Sequence, residues 1–187
     1  MARANGRICL FGGSFNPPHL GHLLASQWAL ATLPVDRLLW VPSFSHPFGK
    51  PLADFDERLS LCRAAVASLG PAGGVRDYER RFGTTYTVDL LRALHATHRG
   101  YRFWWLVGSD AYAERHRWKE WETIEQLATV AVIGRAGSSE GAPLVLPNIS
   151  STEVRRLAEA GAWDEVAELV PARVLRRLRR SQSGDAL

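Results

Sequence analysis

Four short, continuous apolar runs constrain the fold of this chain more than any other feature. They cover residues 8–11, 38–41, 103–107 and 130–133, and a weaker candidate lies near residues 75–78. Runs of strand length without polar alternation are typical of strands that are covered on both faces, as in a parallel sheet. Because helical patterns separate the runs, strand and helix alternate along the chain, which predicts a doubly wound parallel α/β fold.

The helical patterns are recognised by apolar residues that recur every three or four positions. They predict helices within residues 20–28, 55–69, 88–94 and 110–127, the last with a break near Trp118. Asp54 directly precedes the second pattern, and Asp is a preferred N-cap residue. We therefore expect Asp54 to cap that helix.

The last third of the chain differs in character from the rest. A segment rich in Gly and Ser, residues 135–147, is predicted to be a surface loop, and only helical patterns follow it. We expect a single domain over residues 1–187, with an α/β core over about 1–147, a small helical C-terminal part over about 148–180 and a frayed tail over 181–187.

The composition excludes several other classes of protein. The 187 residues are 46% apolar and 22% charged, values typical of a globular chain and not of a disordered one. No apolar run approaches about 18 residues, so no membrane span is expected, and residues 1–7 lack the apolar stretch of a signal peptide. Cys9 and Cys62 lie in apolar patterns, which indicates buried free thiols of a reducing compartment such as the cytoplasm.

The positive charge is concentrated near the end of the chain. Lys and Arg number 23 against 19 Asp and Glu, a net charge of +4, and five of the eight residues 173–180 are Arg. A basic helix of this kind could contact nucleic acid or an acidic partner, but a solvated helix face is the commoner explanation. We therefore expect neither a nucleic-acid nor a membrane partner. A homo-oligomer is compatible with the sequence, which does not define the oligomeric state.

The first predicted strand runs into the string GGSFNPPHLGH, which begins at Gly12. Two glycines after a buried strand allow a ligand to approach the backbone closely and offer amides to phosphate, at the sheet edge where α/β proteins bind ligands. His19 and His22 lie three residues apart at a helix start, so both rings share one face near amides that favour an anion. Zinc would need further ligands that nothing nearby supplies, and helix capping would explain only one histidine.

A second motif, ISSTEVR, begins at Ile149. Ser150 and Glu153 have the spacing of a capping box, so the helix that follows would offer amides, hydroxyl groups and Arg155 to a second anion. Taken alone, the same string also fits a helix that is simply well capped.

Together the two motifs resemble the H-x-G-H and I-S-S-T-x-x-R signatures of the nucleotidylyltransferase superfamily. The resemblance implies a Rossmann-like fold in which His19 and His22 contact the α- and β-phosphates of ATP and Arg155 holds the leaving pyrophosphate. It also implies ATP-site roles for Gly12, Gly13, Ser14, Phe15, Ile149, Ser150, Ser151 and Thr152.

Segments between the two motifs resemble those of bacterial nicotinate-mononucleotide adenylyltransferases. The string VPSFSHPFGK, residues 41–50, has that family's Val-Pro, Pro-rich segment and Lys, which implies that Lys50 is a catalytic residue that faces the ATP phosphates and also contacts nicotinate mononucleotide. The string TYTVDLL is similar to the family's Tyr-Thr-x-Asp-Thr-Leu, with Leu90 in place of the second Thr. The resemblance implies that Tyr86 and Thr87 contact nicotinate mononucleotide, while Thr87 also fits a plain helix N-cap.

The string LVGSDA adds the adenosine side of the implied site. Its Gly108 and Asp110 follow a buried strand, and an Asp can accept hydrogen bonds from ribose hydroxyls. The family resemblance implies that Trp118 stacks on the nicotinate ring, that the amide of Lys119 meets the nicotinate carboxylate, and that Ser14 serves both substrates. Trp118 also fits a core anchor at a helix start.

The implied reaction converts ATP and nicotinate mononucleotide into nicotinate adenine dinucleotide and pyrophosphate. Its nucleophile is already an anionic phosphate, so positioning and charge neutralisation suffice without a general base. Mg²⁺ is expected with ATP, held through the phosphates and not by a metal site of the protein. The alternatives are pantetheine-phosphate adenylyltransferase or another nucleotidylyltransferase, nicotinamide mononucleotide as the acceptor, and a non-catalytic nucleotide- or RNA-binding protein.

Overall fold

A six-stranded parallel sheet forms the middle layer of the protein. The computed structural model describes residues 6–45, 49, 51–135 and 142–183. The strands are β1 (Arg7–Gly13), β2 (Arg37–Pro42), β3 (Gly73–Val75), β4 (Arg102–Gly108), β5 (Thr129–Arg135) and β6 (Val145–Leu146). Their order across the sheet is β3-β2-β1-β4-β5-β6, with every neighbouring pair parallel. The predicted doubly wound α/β fold is confirmed.

The strand order turns back between β1 and β4, which lie side by side at the centre of the sheet. The chain builds outward from β1 through β2 to β3, and then returns to begin the other half at β4. A crevice opens at such a switch point, beyond the carboxyl ends of the strands. Both glycine-containing strings, after β1 and at the end of β4, therefore lie at the edge where a ligand is expected.

Helices and short 3₁₀ turns connect the strands and close the C-terminal part. The α-helices are α1 (Leu20–Thr32), α2 (Phe55–Val66), α3 (Tyr78–Phe82), α4 (Thr87–Thr97), α5 (Ser109–Ala113), α6 (Trp121–Leu127), α7 (Ser151–Glu159), α8 (Trp163–Leu169) and α9 (Ala172–Ser183). The 3₁₀ turns cover Ala67–Ala72 and Arg115–Arg117.

Both faces of the sheet are buried, as the unbroken apolar runs predict. In β1, Cys9 and Phe11 belong to the core layer that also contains residues of α1, α2, α7, α8 and α9. Ile8 and Leu10 belong to the opposite layer, which contains residues of α4 and α6. Because adjacent residues of a strand point to opposite faces, a strand between two apolar layers has no polar alternation.

The predicted cap and the predicted helix break are both confirmed. The Asp54 carboxylate accepts hydrogen bonds from the amides of Asp56 and Glu57, at 2.9 and 3.1 Å, so it satisfies two amides of the first turn of α2. The helix predicted within residues 110–127 is divided into α5, a 3₁₀ turn and α6. Trp118, in the break, has an extended backbone with φ −82° and ψ 141°.

The structure differs from the sequence predictions in three short segments. The weak strand candidate near residues 75–78 ends at Val75, and Tyr78 begins α3. The loop predicted over 135–147 contains β6 at the sheet edge, and residues 136–141 lie outside the described part of the chain. α9 continues to Ser183, beyond the predicted end of the C-terminal helices at about 180. These elements add two to five residues each, too few to give a periodic pattern.

The two cysteines are free and fully buried, as predicted. Burial raises the pKa of the Cys9 thiol to about 12 and raises that of Cys62 as well, so both are neutral, unreactive thiols. In the described part of the chain, no helix combines the length and the apolar character that a bilayer crossing requires.

The contribution of the Asp54 cap to the free energy of unfolding can be measured. Asp54→Ala is expected to lower the free energy of unfolding by about 1 kcal/mol, because two amides of α2 lose their acceptor. Asp54→Asn retains an acceptor oxygen and should lose less. Urea unfolding of the three proteins measures the effect, and equal losses in both variants would contradict capping by the side-chain oxygen.

Candidate active site

The turn that follows β1 is held in place through its backbone carbonyl groups. Arg58 donates from Nη1 to the carbonyl of Ser14 at 2.9 Å. From the C-terminal part, Ser151 Oγ donates to the carbonyl of Pro17 at 2.8 Å, and Arg155 Nη1 donates to the carbonyl of Asn16. The two sequence motifs, more than 130 residues apart, are therefore joined directly by hydrogen bonds.

The two histidines of the first motif lie against each other at the start of α1. Their ring centroids are 3.8 Å apart, and the backbone N–H of His19 donates to Nδ1 of His22 at 3.2 Å. This contact is part of a capping box formed by the two residues, so the expectation that capping would explain only one histidine is wrong. Because Nδ1 of His22 is an acceptor, the neutral ring carries its proton on Nε2, which is a donor suited to a phosphate oxygen. Gly21 leaves room for the His19 ring, since a Cβ there would lie at a tight 3.0 Å from it.

Aromatic side chains fix the ring of His22. Phe15 lies 4.8 Å from it, and Phe15 is itself stacked on Trp40 at 4.6 Å with planes 7° apart. Trp40 Nε1 donates to Ser26 Oγ, which donates to the carbonyl of His22, both at 2.8 Å. Phe15 has a φ of 45°, a left-handed backbone conformation that is uncommon for a non-glycine residue. Trp40 and Ser26 are support residues that sequence analysis did not identify.

The second motif forms the N-terminus of α7, with Ser150 as its N-cap. Ser150 Oγ accepts a hydrogen bond from the amide of Glu153 at 3.2 Å, which is one half of the predicted capping box. The Glu153 carboxylate instead forms a salt bridge of 2.7 Å with Arg156, so the reciprocal half of the prediction is wrong. Thr152 Oγ1 accepts from Arg155 Nη2 at 3.3 Å, which further fixes that guanidinium.

Gly12 has a packing role that sequence analysis did not anticipate. A Cβ at this position would lie 2.5 Å from the indole ring of Trp105, on the neighbouring strand β4. The close approach of that ring therefore requires glycine, independently of any ligand. Trp105 itself is buried in the core layer that contains α4 and α6.

Four of the six predicted acceptor-binding residues, Tyr86, Thr87, Trp118 and Lys119, come from two segments that contact each other; Ser14 lies in the β1 turn, and Lys50 lies outside the described residues. Lys119 Nζ pairs with the Asp89 carboxylate at 2.9 Å and lies 5.1 Å from the centre of the Tyr86 ring. Trp118 is half-buried and perpendicular to Trp121 at 5.4 Å. Trp121 is the more deeply buried of the two, whereas Trp118 packs against the same core layer and keeps part of its surface accessible, which is compatible with a core anchor as well as with a ligand contact.

The start of α4 and the turn after Trp118 are defined by their backbone and by one ion pair. The N-cap of α4 is Tyr86, with no side-chain cap, and Thr87 is the first helical residue, so the alternative of Thr87 as a plain N-cap is wrong. Glu120 has a left-handed backbone with φ 51°, and its carboxylate accepts hydrogen bonds of 2.6 and 3.2 Å from Arg92 of α4. The bidentate pair fixes the turn after Trp118 relative to α4.

The predicted ATP-site residues converge at the carboxyl edge of the sheet, with one exception. The described members of the two phosphate motifs meet at the β1 turn and the α7 start, while Gly108 and Asp110 lie at the end of the adjacent β4 and the start of α5. Lys50 lies outside the described residues, so its role stays a prediction.

Two buried charged residues adjoin the site: Arg58, which was not predicted from sequence, and Glu79, which stands where the family resemblance implies a Glu after the third strand. Arg58 is 1% exposed and donates to the carbonyls of Ser14, Ser43 and Ala53 at 2.8–2.9 Å. Glu79 is also buried, and its carboxylate accepts from the amide of Phe44 at 2.8 Å. Burial raises the pKa of Glu79 to about 7, although the Phe44 amide and the Arg58 charge oppose the shift. The sequence signal that could have identified Arg58 is its position on the apolar face of the helix predicted within residues 55–69.

Glu79 should make stability depend on pH. Its pKa is raised from 4.5 in the unfolded chain to about 7 in the folded protein, so the folded state holds the proton more tightly. The stability contributed by Glu79 is therefore full below pH 4.5 and is lost as the pH rises through about 7, by about 3 kcal/mol in all. Relative to wild type, Glu79→Gln should become more stabilising between pH 5 and pH 8.

Urea unfolding of wild type and Glu79→Gln at both pH values measures this difference directly. Arg80→Gln, on the same helix but exposed, is the matched control. A stability difference between wild type and Glu79→Gln that does not change with pH would contradict the raised pKa.

The fold and the site together define a class of protein. A doubly wound sheet at whose switch point two helix starts, paired histidines and an arginine meet is typical of a nucleotide-binding protein. In agreement, a model of the cytidylyltransferase-like family matches residues 10–157.

Individual relatives narrow the class. A protein of Anaeromyxobacter dehalogenans named "Probable nicotinate-nucleotide adenylyltransferase" is 44% identical over 177 residues, covering 90% of this chain and 91% of the relative. A Myxococcus xanthus protein of the same name is 38% identical over 174 residues, covering 90% of each. The chain belongs to the nicotinate-nucleotide adenylyltransferase family.

A solved structure is similar to the whole chain in fold. The Plasmodium falciparum nicotinic acid mononucleotide adenylyltransferase complexed with NaAD has a TM-score of 0.79, and the match covers 97% of this chain and 98% of that one. The two sequences are 19% identical, so this likeness concerns the fold alone.

Proposed function

We propose that this protein transfers the adenylyl group of ATP to nicotinate mononucleotide in the cytoplasm, giving nicotinate adenine dinucleotide and pyrophosphate for NAD biosynthesis. The observation that carries the proposal is the direct joining of the two phosphate motifs. Ser151 and Arg155 of α7 bind the carbonyls of Pro17 and Asn16, so the α7 start adjoins the turn that leads to His19. The names of the relatives, 38% and 44% identical, support the same substrates.

The phosphate side of the site acts by charge stabilisation. The acceptor phosphate attacks the α-phosphorus of ATP, and the bond to the β-phosphate oxygen breaks, so pyrophosphate leaves. His22 donates from Nε2 to the phosphate oxygens that gain charge in the transition state, and His19 lies beside it. The amides at the starts of α1 and α7, together with Arg155 and Lys50, complete the neutralisation. Mg²⁺ accompanies ATP and is held mainly by its phosphates and water.

The acceptor side recognises the pyridine ring and its phosphate. Trp118 is half-buried, with Trp121 fixing its orientation from the core side, and offers an indole face to the electron-poor nicotinate ring. Tyr86, Thr87 and Lys119 border the same region. Gly108 and Asp110, at the switch point, bind the adenosine of ATP.

Pyrophosphate release distinguishes this function from its alternatives. The enzyme is supplied with ATP, Mg²⁺ and either nicotinate mononucleotide, nicotinamide mononucleotide or phosphopantetheine at equal concentration. Release with the nicotinate form is expected to be fastest. Release only with phosphopantetheine would assign the pantetheine reaction, and the absence of release with all three would contradict the proposed adenylyl transfer.

His22 should be essential for turnover but not for folding. His22→Ala is expected to lower kcat by about 10²–10³-fold, the usual effect of removing one preorganised donor to a transition-state oxyanion. Steady-state kinetics and circular dichroism measure activity and fold. His116→Ala, at an exposed position with no assigned role, is the control. A His22→Ala enzyme with near-normal kcat would contradict the assigned role.

Arg155 and Arg156 are neighbours in the sequence whose guanidinium groups make different contacts, which makes them a matched pair for mutagenesis. Arg155 faces the β1 turn, whereas Arg156 pairs with Glu153 on the exposed side of α7. Arg155→Ala should lower kcat/KM for ATP by about 10²-fold, because a charge-assisted contact to the leaving group is lost. Arg156→Ala should stay within about twofold, as exposed ion pairs contribute little. Equal losses in the two variants would show that the effect is not specific to the site.

A further inference from the structure

The backbone that follows β2 is held by groups from three different elements. The amide of Ser43 donates to the carbonyl of Gly13 at 2.9 Å, so this segment runs beside the β1 turn. The carbonyl of Ser43 accepts from Arg58 of α2 at 2.8 Å. The next amide, that of Phe44, donates to the Glu79 carboxylate of α3 at 2.8 Å. The backbone of Ser43 and Phe44 is thereby held by β1, α2 and α3 together.

Glu79 also reaches the other half of the site. Its backbone carbonyl accepts from the amide of Thr84 at 3.0 Å. Thr85 Oγ1 lies 3.4 Å from Ser45 Oγ, which joins the same two segments a second time. Thr85 immediately precedes Tyr86 and Thr87, where the acceptor nucleotide is proposed to bind. Glu79 therefore connects the segment at Ser43–Phe44, which runs beside the β1 turn, with the segment at Thr84–Thr85, which leads to Tyr86.

The side chain of Glu79 is not explained by a contribution to stability. Burial disfavours its charged form strongly enough to raise the pKa to about 7, so at neutral pH the carboxylate costs folding free energy. The hydrogen bond to the Phe44 amide is only partly buried, and Phe44 itself is 49% exposed, so the gain from satisfying one amide is small beside the cost of burying a carboxylate. A buried carboxyl group with a structural cost, beside a ligand site, favours a functional role.

We propose that Glu79 is a positioning residue for adenylyl transfer, which with Arg58 fixes the spacing between the ATP-phosphate turn and the acceptor segment at Tyr86–Thr87. The inference rests on the proposed function and adds a residue to it. Glu79 touches neither substrate; it acts through the backbone of Phe44 and Thr84. A displacement of about 1 Å between reacting groups can lower the rate by about 10²-fold, so such a spacing device affects the rate of transfer.

Two substitutions separate positioning from stability. Glu79→Leu removes the acceptor for the Phe44 amide but also removes the cost of a buried carboxyl group, so the unfolding free energy at pH 8 should be equal to or above that of wild type. Its kcat/KM for nicotinate mononucleotide should nevertheless fall about tenfold, mainly through a lower kcat. Glu79→Gln keeps an acceptor oxygen and should remain within about threefold of wild type.

The free enzyme's affinity for ATP provides a second readout. The β1 turn remains held by Arg58, Ser151 and Arg155 in Glu79→Leu. The Kd for ATP, measured by calorimetry without acceptor, should therefore change less than about threefold. A loss of general structural integrity would instead weaken both substrates together.

The Phe44 amide tests the same contact from the other partner. Phe44→Pro removes the N–H and should reproduce most of the kinetic loss of Glu79→Leu, whereas Phe44→Ala keeps the N–H and should lose less. Because Phe44 is exposed, these two variants can test the positioning role even if Glu79→Leu does not fold. Arg81→Ala, exposed on α3, is the control expected to match wild type.

Each outcome has a defined meaning. High activity in Glu79→Leu, within twofold of wild type, would overturn the positioning role while leaving the proposed function intact. Equal losses in Glu79→Gln and Glu79→Leu, or in Phe44→Pro and Phe44→Ala, would overturn it as well. A wild-type enzyme that does not turn over nicotinate mononucleotide would overturn the proposed function and, with it, this inference.

Discussion

The buried guanidinium of Arg58 is the interaction on which the geometry of the phosphate-binding edge depends. A cation that is 1% exposed requires hydrogen-bond acceptors within the protein, and Arg58 finds them in the carbonyls of Ser14, Ser43 and Ala53. These carbonyls belong to the loop leaving β1, the loop leaving β2 and the loop entering α2. Since charge-assisted hydrogen bonds are the stronger kind, one side chain fixes three chain connections relative to one another.

The same edge receives the other end of the chain through apolar packing. Val154 and Leu157 of α7 are buried in the core layer that contains α1 and α2, and this packing brings the α7 start to the β1 turn. The hydrogen bonds of Ser151 and Arg155 then fix the orientation of the contact. The phosphate site is therefore a junction between the first strand and the C-terminal helices, and its precision depends on the packing of both.

Sequence patterns predicted most of the fold because the signals were long or unusual. Four strands are continuous apolar runs, and the Asp54 cap and the break near Trp118 have local causes that a sequence displays. α3 and β6 were missed because elements of five and two residues have no period of their own. The reciprocal half of the α7 capping box failed because Arg156, one turn away, competes for Glu153.

The candidate site was predictable where it consists of a contiguous motif and not where it depends on tertiary contacts. The two histidines, Ser150 and Arg155 each lie within a short contiguous motif, so the sequence alone identifies them. Glu79 matches the family resemblance, but its contact with the Phe44 amide exists only because separate loops meet. Arg58 was missed because nothing local distinguishes a buried arginine from an exposed one on a helix. The contact of Glu120 with Arg92, on another helix, is likewise not displayed by any local pattern.

The burial of both thiols has a practical consequence for spectroscopy. Cys9 and Cys62 are the two cysteines of the whole chain, and both are enclosed and protonated in the folded state. A cysteine introduced at an exposed position, such as that of Phe44, would then be the sole thiol open to a dye or spin label. The native sequence is thus already a silent background for single-site labelling, with no need to remove either natural cysteine.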